Sequence, residues 1–130
     1  GHRVWEDKEE SRKKVKIKTV SLDEFFKGRE NYIDFIKMDI EGSEMSALKG
    51  MDRILKKNKR LKMITEFYPD LLKKNGLHPE DYLDALKNYG FNLNLITSEG
   101  LNQTTREKLI NSWKNSKDQK LFYVNLFLER

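Results

Sequence analysis

The chain has 130 residues, with 26 Lys or Arg against 21 Asp or Glu for a net charge of +5. One domain fits that length, and aromatic residues at 11% separate it from a disordered chain. Cysteine is absent, which excludes disulfide scaffolds, thiolate metal sites, iron–sulfur clusters and thiol nucleophiles. No apolar run approaches the roughly 20 residues that span a bilayer, and the composition reads as a soluble, cytoplasmic domain with no membrane partner. The lysines at Lys13–Lys18, Lys56–Lys62, Lys73–Lys74 and Lys114–Lys120 alternate with acids and belong to no nucleic-acid-binding motif. They read as solvated helix faces, so nucleic acid is not the expected partner.

Gly1 and His2 read as the remainder of an expression tag, and residues 1–14 as a polar lead-in anchored only by Trp5; the domain is expected over residues 15–130. Val15–Val20 (VKIKTV) alternates apolar residues and lysine, the mark of a strand with one buried face. Ser21 and Glu24 form a capping box, predicting a short helix through Leu22, Phe25 and Phe26 that ends near Gly28. Tyr32–Ile40 is short and apolar enough for a strand buried on both faces. A helix follows from Ser43, spaced by Ala47, Leu48, Met51, Ile54 and Leu55, with Gly50 placed to break or bend it. Leu61–Phe67 is a further strand, stopped by Pro69.

His78-Pro79 opens a helix carrying Tyr82, Leu83, Leu86 and Tyr89, with Gly90 at its C-terminal cap. Phe91–Ile96 alternates as a strand. Thr104 to Glu107 reads as a second capping box, opening a helix with Leu109, Ile110 and Trp113, and Leu121–Leu128 closes the chain as a strand. Strand and helix alternate throughout. That pattern predicts an α/β domain with a mostly parallel sheet and helices on both faces. Ligands in such sheets bind beyond the carboxyl ends of the strands.

Two strands end there in carboxylates. Residues two apart on a strand share a face, so Lys37 and Asp39 point the same way, as does Glu41 if the strand persists that far, with Lys37 expected to pair with the acids. Gly42 permits a sharp turn or a close ligand approach. Glu44 falls in the first turn of the next helix, where a negative charge suits the helix dipole and a capping role suffices. Glu66 and Tyr68 close the next strand, and Glu66 faces the same crevice if the two strands are neighbours. Spacing alone leaves three uses open for Asp39, Glu41 and Glu66: general base, amine binding, or oxygen ligands to magnesium. His78 reads as a helix cap, and Trp5, Trp113 and Tyr123 as packing residues.

Thr19 to Phe25, Ile33 to Glu44 (IDFIKMDIEGSE), Ala47 to Gly50 (ALKG) and Thr65 to Phe67 resemble the FkbM-type methyltransferases in order and spacing. The resemblance covers about residues 15–128 and is strongest over 19–67. It implies a Rossmann-like class I methyltransferase fold whose antiparallel last strand would be Leu121–Leu128, with S-adenosylmethionine as cofactor. It implies that Asp39 and Glu41 are catalytic carboxylates, placed to take the acceptor's proton or position a metal, that Asp39 and Ile40 lie near the methionine end of the cofactor, and that Glu66 and Tyr68 lie near the acceptor. Lys37, Gly42 and Glu44 would support them, and Asp23 would be structural. The acceptor implied is a small-molecule hydroxyl, as on a sugar or polyketide.

Such enzymes hold the nucleotide with a glycine-rich turn and an acid in the first half of the domain. Here the seven glycines lie at 1, 28, 42, 50, 76, 90 and 100, and no two are clustered. The chain therefore reads as the C-terminal half of the fold, from a larger protein or as a natural half-domain, with little or no activity expected alone. A half-sheet would expose a strand edge, so an edge-strand dimer is an expectation, unless the lysines of Val15–Val20 blunt that edge. The rivals are a silent α/β module docking an anionic partner, and a magnesium-dependent phosphate enzyme. The second lacks a glycine-rich phosphate loop.

Overall fold

The computed structural model describes residues 2–3, 13–29 and 32–130. The elements run β1 (His2–Arg3), β2 (Ile17–Lys18), α1 (Leu22–Phe25), β3 (Phe35–Met38), α2 (Glu44–Gly50), α3 (Asp52–Lys57), β4 (Lys62–Phe67), α4 (Pro69–Lys74), α5 (Pro79–Asn88), β5 (Asn92–Thr97), β6 (Gly100–Gln103), α6 (Arg106–Lys114) and β7 (Val124–Glu129). The rest of the lead-in, residues 4–12 with Trp5, lies outside the described residues.

Five strands form the main sheet in the order β3-β4-β7-β5-β6. Only β3 and β4 pair in parallel; β4–β7, β7–β5 and β5–β6 are antiparallel. The expected mostly parallel sheet is thus corrected. Helical crossovers do make β3, β4 and β5 run the same way, but the closing strand inserts between β4 and β5 and reverses both contacts. The antiparallel last strand agrees with the resemblance.

Register explains which face is buried. Met38, Thr65, Leu126 and Leu95 align across β3, β4, β7 and β5, and Met63, Leu128 and Leu93 form the next row. The apolar members of these rows join Leu48, Leu55, Leu72, Leu83, Leu86 and Leu109 of the helices in one core, with Leu95 packed against it and Thr65 buried beside it. Each fully buried side chain of this size stabilises the fold by roughly 1.5–3 kcal/mol. Within the sheet, Tyr82 of α5 reaches Thr65 through a buried hydroxyl pair at 2.6 Å.

The opposite face carries Lys37, Ile64 and Phe127 in one row and Glu66 beside Asn125 in the next. These side chains are exposed or half-buried, so the helices cover one face and not both. Tyr32–Ile40 is accordingly not buried on two faces: β3 is an edge strand, and Phe35 is 50% exposed.

Local chemistry accounts for the helix ends. Ser21 Oγ accepts from the Glu24 amide, as its capping box predicts. The Asp23 carboxylate accepts from the amides of Arg53 and Ile54 at 2.9 and 3.0 Å, so it caps α3 across the chain and is structural. Gly50 ends α2, and Met51 leaves helical geometry before α3 starts. Pro69 stops β4 but also opens α4, the helix that the strand-stop reading overlooks. The second cap is Thr105, not Thr104: its Oγ accepts from the Lys108 amide. His78 occupies the cap position of α5 without a side-chain capping bond.

Val15–Val20 departs furthest from expectation. Only Ile17–Lys18 is a strand, pairing with β1 in a separate two-stranded ribbon. Val15, Ile17 and Val20 are exposed, because the ribbon packs no apolar face into the core. Its lysines therefore do not guard the main sheet, whose outer strand on that side is β3.

Candidate active site

A cleft of about 430 Å³ lies on the open sheet face, beyond the carboxyl ends of β3 and β4. Lys37 and Asp39 reach it from β3 and its end, Glu66 from β4, Ile96 from β5, and Tyr123 and Asn125 from the start of β7. Glu66 and Asn125 are direct cross-strand partners. The alternation of each strand delivers the polar side chains to this face while their neighbours Met38, Thr65, Phe67 and Leu126 are buried on the other.

The turn after β3 is built by the Ile40 to Ser43 segment. The Ser43 amide donates to the Ile40 carbonyl at 3.3 Å. Both central residues have positive φ, 51° at Glu41 and 92° at Gly42, and Glu41 is the sole non-glycine residue of that kind among the described residues. A mirror-type turn needs φ > 0 at both positions, which explains the glycine and leaves the strain on Glu41. Asn75, just after α4, donates from Nδ2 to the Gly42 carbonyl at 2.9 Å and locks the turn. A Cβ at Gly42 would meet Asn75 Nδ2 at 2.5 Å and the Leu71 carbonyl oxygen at 2.7 Å. The close approach that needs glycine here is therefore to the protein's own α4, not to an open ligand cradle.

Glu44 is only 2% exposed. Burial pushes its carboxyl above the usual range, opposed by backbone hydrogen bonds of Glu44 itself, Ile40 and Gly42, while the Asp39 charge adds to the rise. It is thus a buried acid folded against the turn, more than the exposed dipole partner its position suggests. The Glu66 carboxyl is also raised, first by desolvation and then by the charges of Asp39, Glu44 and Glu41. Four carboxylates consequently share one negative field at the strand ends, and a cation there would relieve their repulsion.

Asp39, Glu66 and Lys37 are brought together as the strand pairing implies. Lys37, however, is exposed, and no carboxylate among the described residues lies within ion-pair distance of it. The expected pairing fails because the edge strand leaves its side chain in solvent, where an ion pair gains little. Glu41 sits in the turn. Ile40 points to a second cleft of about 490 Å³, lined also by Val20, Leu22, Ala47 and Met51. Tyr68 stacks on Tyr123, with centroids 5.6 Å apart and rings 15° from parallel. For the magnesium reading, no three His, Cys, Asp or Glu side chains among the described residues form a group able to hold a metal ion. Sequence reasoning missed Tyr123 and Asn125 as site residues. Their period-two spacing placed them on one face, but only the insertion of β7 beside β4 puts that face against Glu66.

Among the described residues, no helix is long and apolar enough to cross a membrane. No curated protein and no solved structure matches the chain. The family model of the methyltransferase FkbM domain matches residues 1–93, which takes in β3, the turn, β4, Glu66 and the first strand positions of β5. With well over half its length matched, the chain belongs to the FkbM methyltransferase family.

Proposed function

We propose that the chain is the acceptor-side half of an S-adenosylmethionine-dependent methyltransferase, and that it presents a small-molecule hydroxyl, as on a sugar or polyketide, for O-methylation. The observation that carries this reading is the cleft in which Asp39 and Glu66 meet at the ends of neighbouring strands of a family member.

The fit to the cofactor is partial. The negative field of Asp39, Glu41, Glu44 and Glu66 suits the cationic methionine end, which Asp39 and the Ile40 backbone would hold. Among the described residues no cradle for the nucleotide is formed: the space at Gly42 is filled by Asn75 and Leu71, and no glycine cluster occurs in the sequence. The nucleotide-holding half is therefore assigned to residues beyond these 130. When bound, S-adenosylmethionine supplies an electrophilic methyl group.

The chain's own residues would do the rest. Glu66, with its raised proton affinity, is the better-matched base for the acceptor hydroxyl. Asp39 and Glu41 raise that affinity by their charge, and Asp39 orients the acceptor from the opposite side of the cleft. Glu44 and Asn75 hold the turn that fixes Asp39. Alignment of this kind is the principal contribution an enzyme makes to a direct displacement.

Transfer of a radiolabelled methyl group to a panel of methyl glycosides, by the longer protein carrying these residues, tests the reading. Glu66→Gln is expected to lower kcat by about 10²-fold or more. Asp84→Asn, on the helix layer at the opposite side of the sheet, is expected to leave it unchanged. Equal rates for Glu66→Gln and the unsubstituted protein would overturn the assignment.

A further inference from the structure

Tyr123 and Asn125 lie outside the family-matched stretch, and no role follows for them from the motif. Their geometry is specific nonetheless. The β4–β7 ladder pairs Glu66 with Asn125 and Phe67 with Val124. One step further it brings Tyr68 against Tyr123, and the rings stack. Tyr68 is half-buried and backs the pair, whereas Tyr123 is 55% exposed and lines the cleft. Two residues along the same strand, the Asn125 carboxamide faces the cleft beside the Glu66 carboxylate. Neither side chain makes a hydrogen bond or ion pair within the described residues.

A rigid aromatic surface thus borders hydrogen-bonding groups that have no protein partner. From this we infer that Tyr123, held by Tyr68, is the platform on which the acceptor ring lies, and that Asn125 and Glu66 select its hydroxyls. The ligand class that fits is a saccharide ring. Its C–H face is apolar enough to rest on a tyrosine, and its rim of hydroxyls pairs both the carboxamide and the carboxylate. A flat aromatic acceptor would also stack, but it would desolvate Asn125, Glu66 and Asp39 while leaving most of their hydrogen bonds unmade, which is costly. Anchoring is aided because a stacked tyrosine has little side-chain freedom left to lose.

This inference rests on the acceptor-side reading above, yet its test needs no methyl donor. Methyl β-glucopyranoside and, separately, catechol are titrated into this chain and followed by amide NMR shifts. The glucoside is expected to move the amides of Glu66, Val124 and Asn125. Tyr123→Ala is expected to weaken it about tenfold, and Tyr123→Phe to stay within about twofold, since the phenyl ring keeps the stack. Asn125→Ala is expected to weaken the glucoside and not catechol. Retained amide dispersion and an unchanged melting temperature show that each variant is folded. Catechol binding as tightly as the glucoside, no shift at these amides with either probe, or an unchanged affinity in Tyr123→Ala would each overturn the platform. The two readings fail separately. Glucoside binding by this chain, with no S-adenosylhomocysteine binding by a longer protein that carries it, sinks the methyl-transfer reading alone. The converse result sinks the platform alone.

Discussion

Replacing Gly42 by alanine attacks the turn that fixes the end of β3. The backbone there has φ of 92°, a region in which a side chain costs about 1–2 kcal/mol. The new Cβ would lie 2.7 Å from the Leu71 carbonyl oxygen and 2.9 Å from its carbon. That carbonyl is main chain at the foot of α4, so the clash cannot be relieved by rotating a side chain, and overpacking of this kind costs about 1–3 kcal/mol. Asn75 must also leave, forfeiting a hydrogen bond worth about 1 kcal/mol. Together these give about 4 kcal/mol, which lowers the melting temperature of a domain this size by roughly 15 °C. Thermal unfolding followed by circular dichroism measures it. Asn75→Ala is the control, losing only the hydrogen bond and about 4 °C on the same scale. The double variant is expected to stay close to Gly42→Ala, because the Leu71 carbonyl remains in place. A Gly42→Ala variant no less stable than Asn75→Ala would refute the close-approach argument.

Three further outcomes follow from the packing and the charges. Because the folded state raises the Glu66 carboxyl above 4.5, its favourable contribution is full below that pH and is lost as pH rises through the raised value. Glu66→Gln should therefore melt above the unsubstituted protein at pH 7.5, the gap closing by about pH 4; a gap independent of pH would contradict the shared field. Thr65→Val leaves the buried Tyr82 hydroxyl unpaired at a cost of about 1–3 kcal/mol in urea unfolding. Thr65→Val combined with Tyr82→Phe should cost less than the sum of the single changes, and strict additivity would argue against the pair. Arg130 donates to the carbonyls of Leu55, Asn58, Lys59 and Tyr89 and lies 4.6 Å over the Phe91 ring. Arg130→Ala should lower the unfolding free energy by about 2–3 kcal/mol, with Arg130→Lys recovering less than half, since an ammonium cannot reach four carbonyls at once; full recovery by lysine would reduce the arginine to a charge.

Periodicity made most elements legible. Tyr82, Leu83 and Leu86 announce α5, and the Ser21 box announces α1, because the signal and the stabilising contact are the same residues. Signals fail where one residue has two uses. Pro69 ends a strand and starts a helix, and only the first use is visible without the chain beyond it. Gly100–Gln103 is too polar to announce β6, which exists because it zips onto β5. The alternation of Val15–Val20 is real but has nothing to pack against, so the period does not become burial. Strand order is a property of packing, and with it went the two site residues on β7: Tyr123 looks like any exposed aromatic until its strand lies beside Glu66. The acids themselves were legible through the strand-end rule. What the sequence could not reveal is that Glu44, apparently a surface helix-start acid, is the buried one.

Calorimetric titration of S-adenosylhomocysteine, into this chain and into a longer protein that carries it, tests the central claim most directly. The acceptor-side account predicts binding by the longer protein and none by the chain alone, because the cleft offers charge for the methionine end but no cradle for the nucleotide. Equal affinity in the isolated chain would contradict the division of labour, and binding by neither would contradict methyl transfer itself.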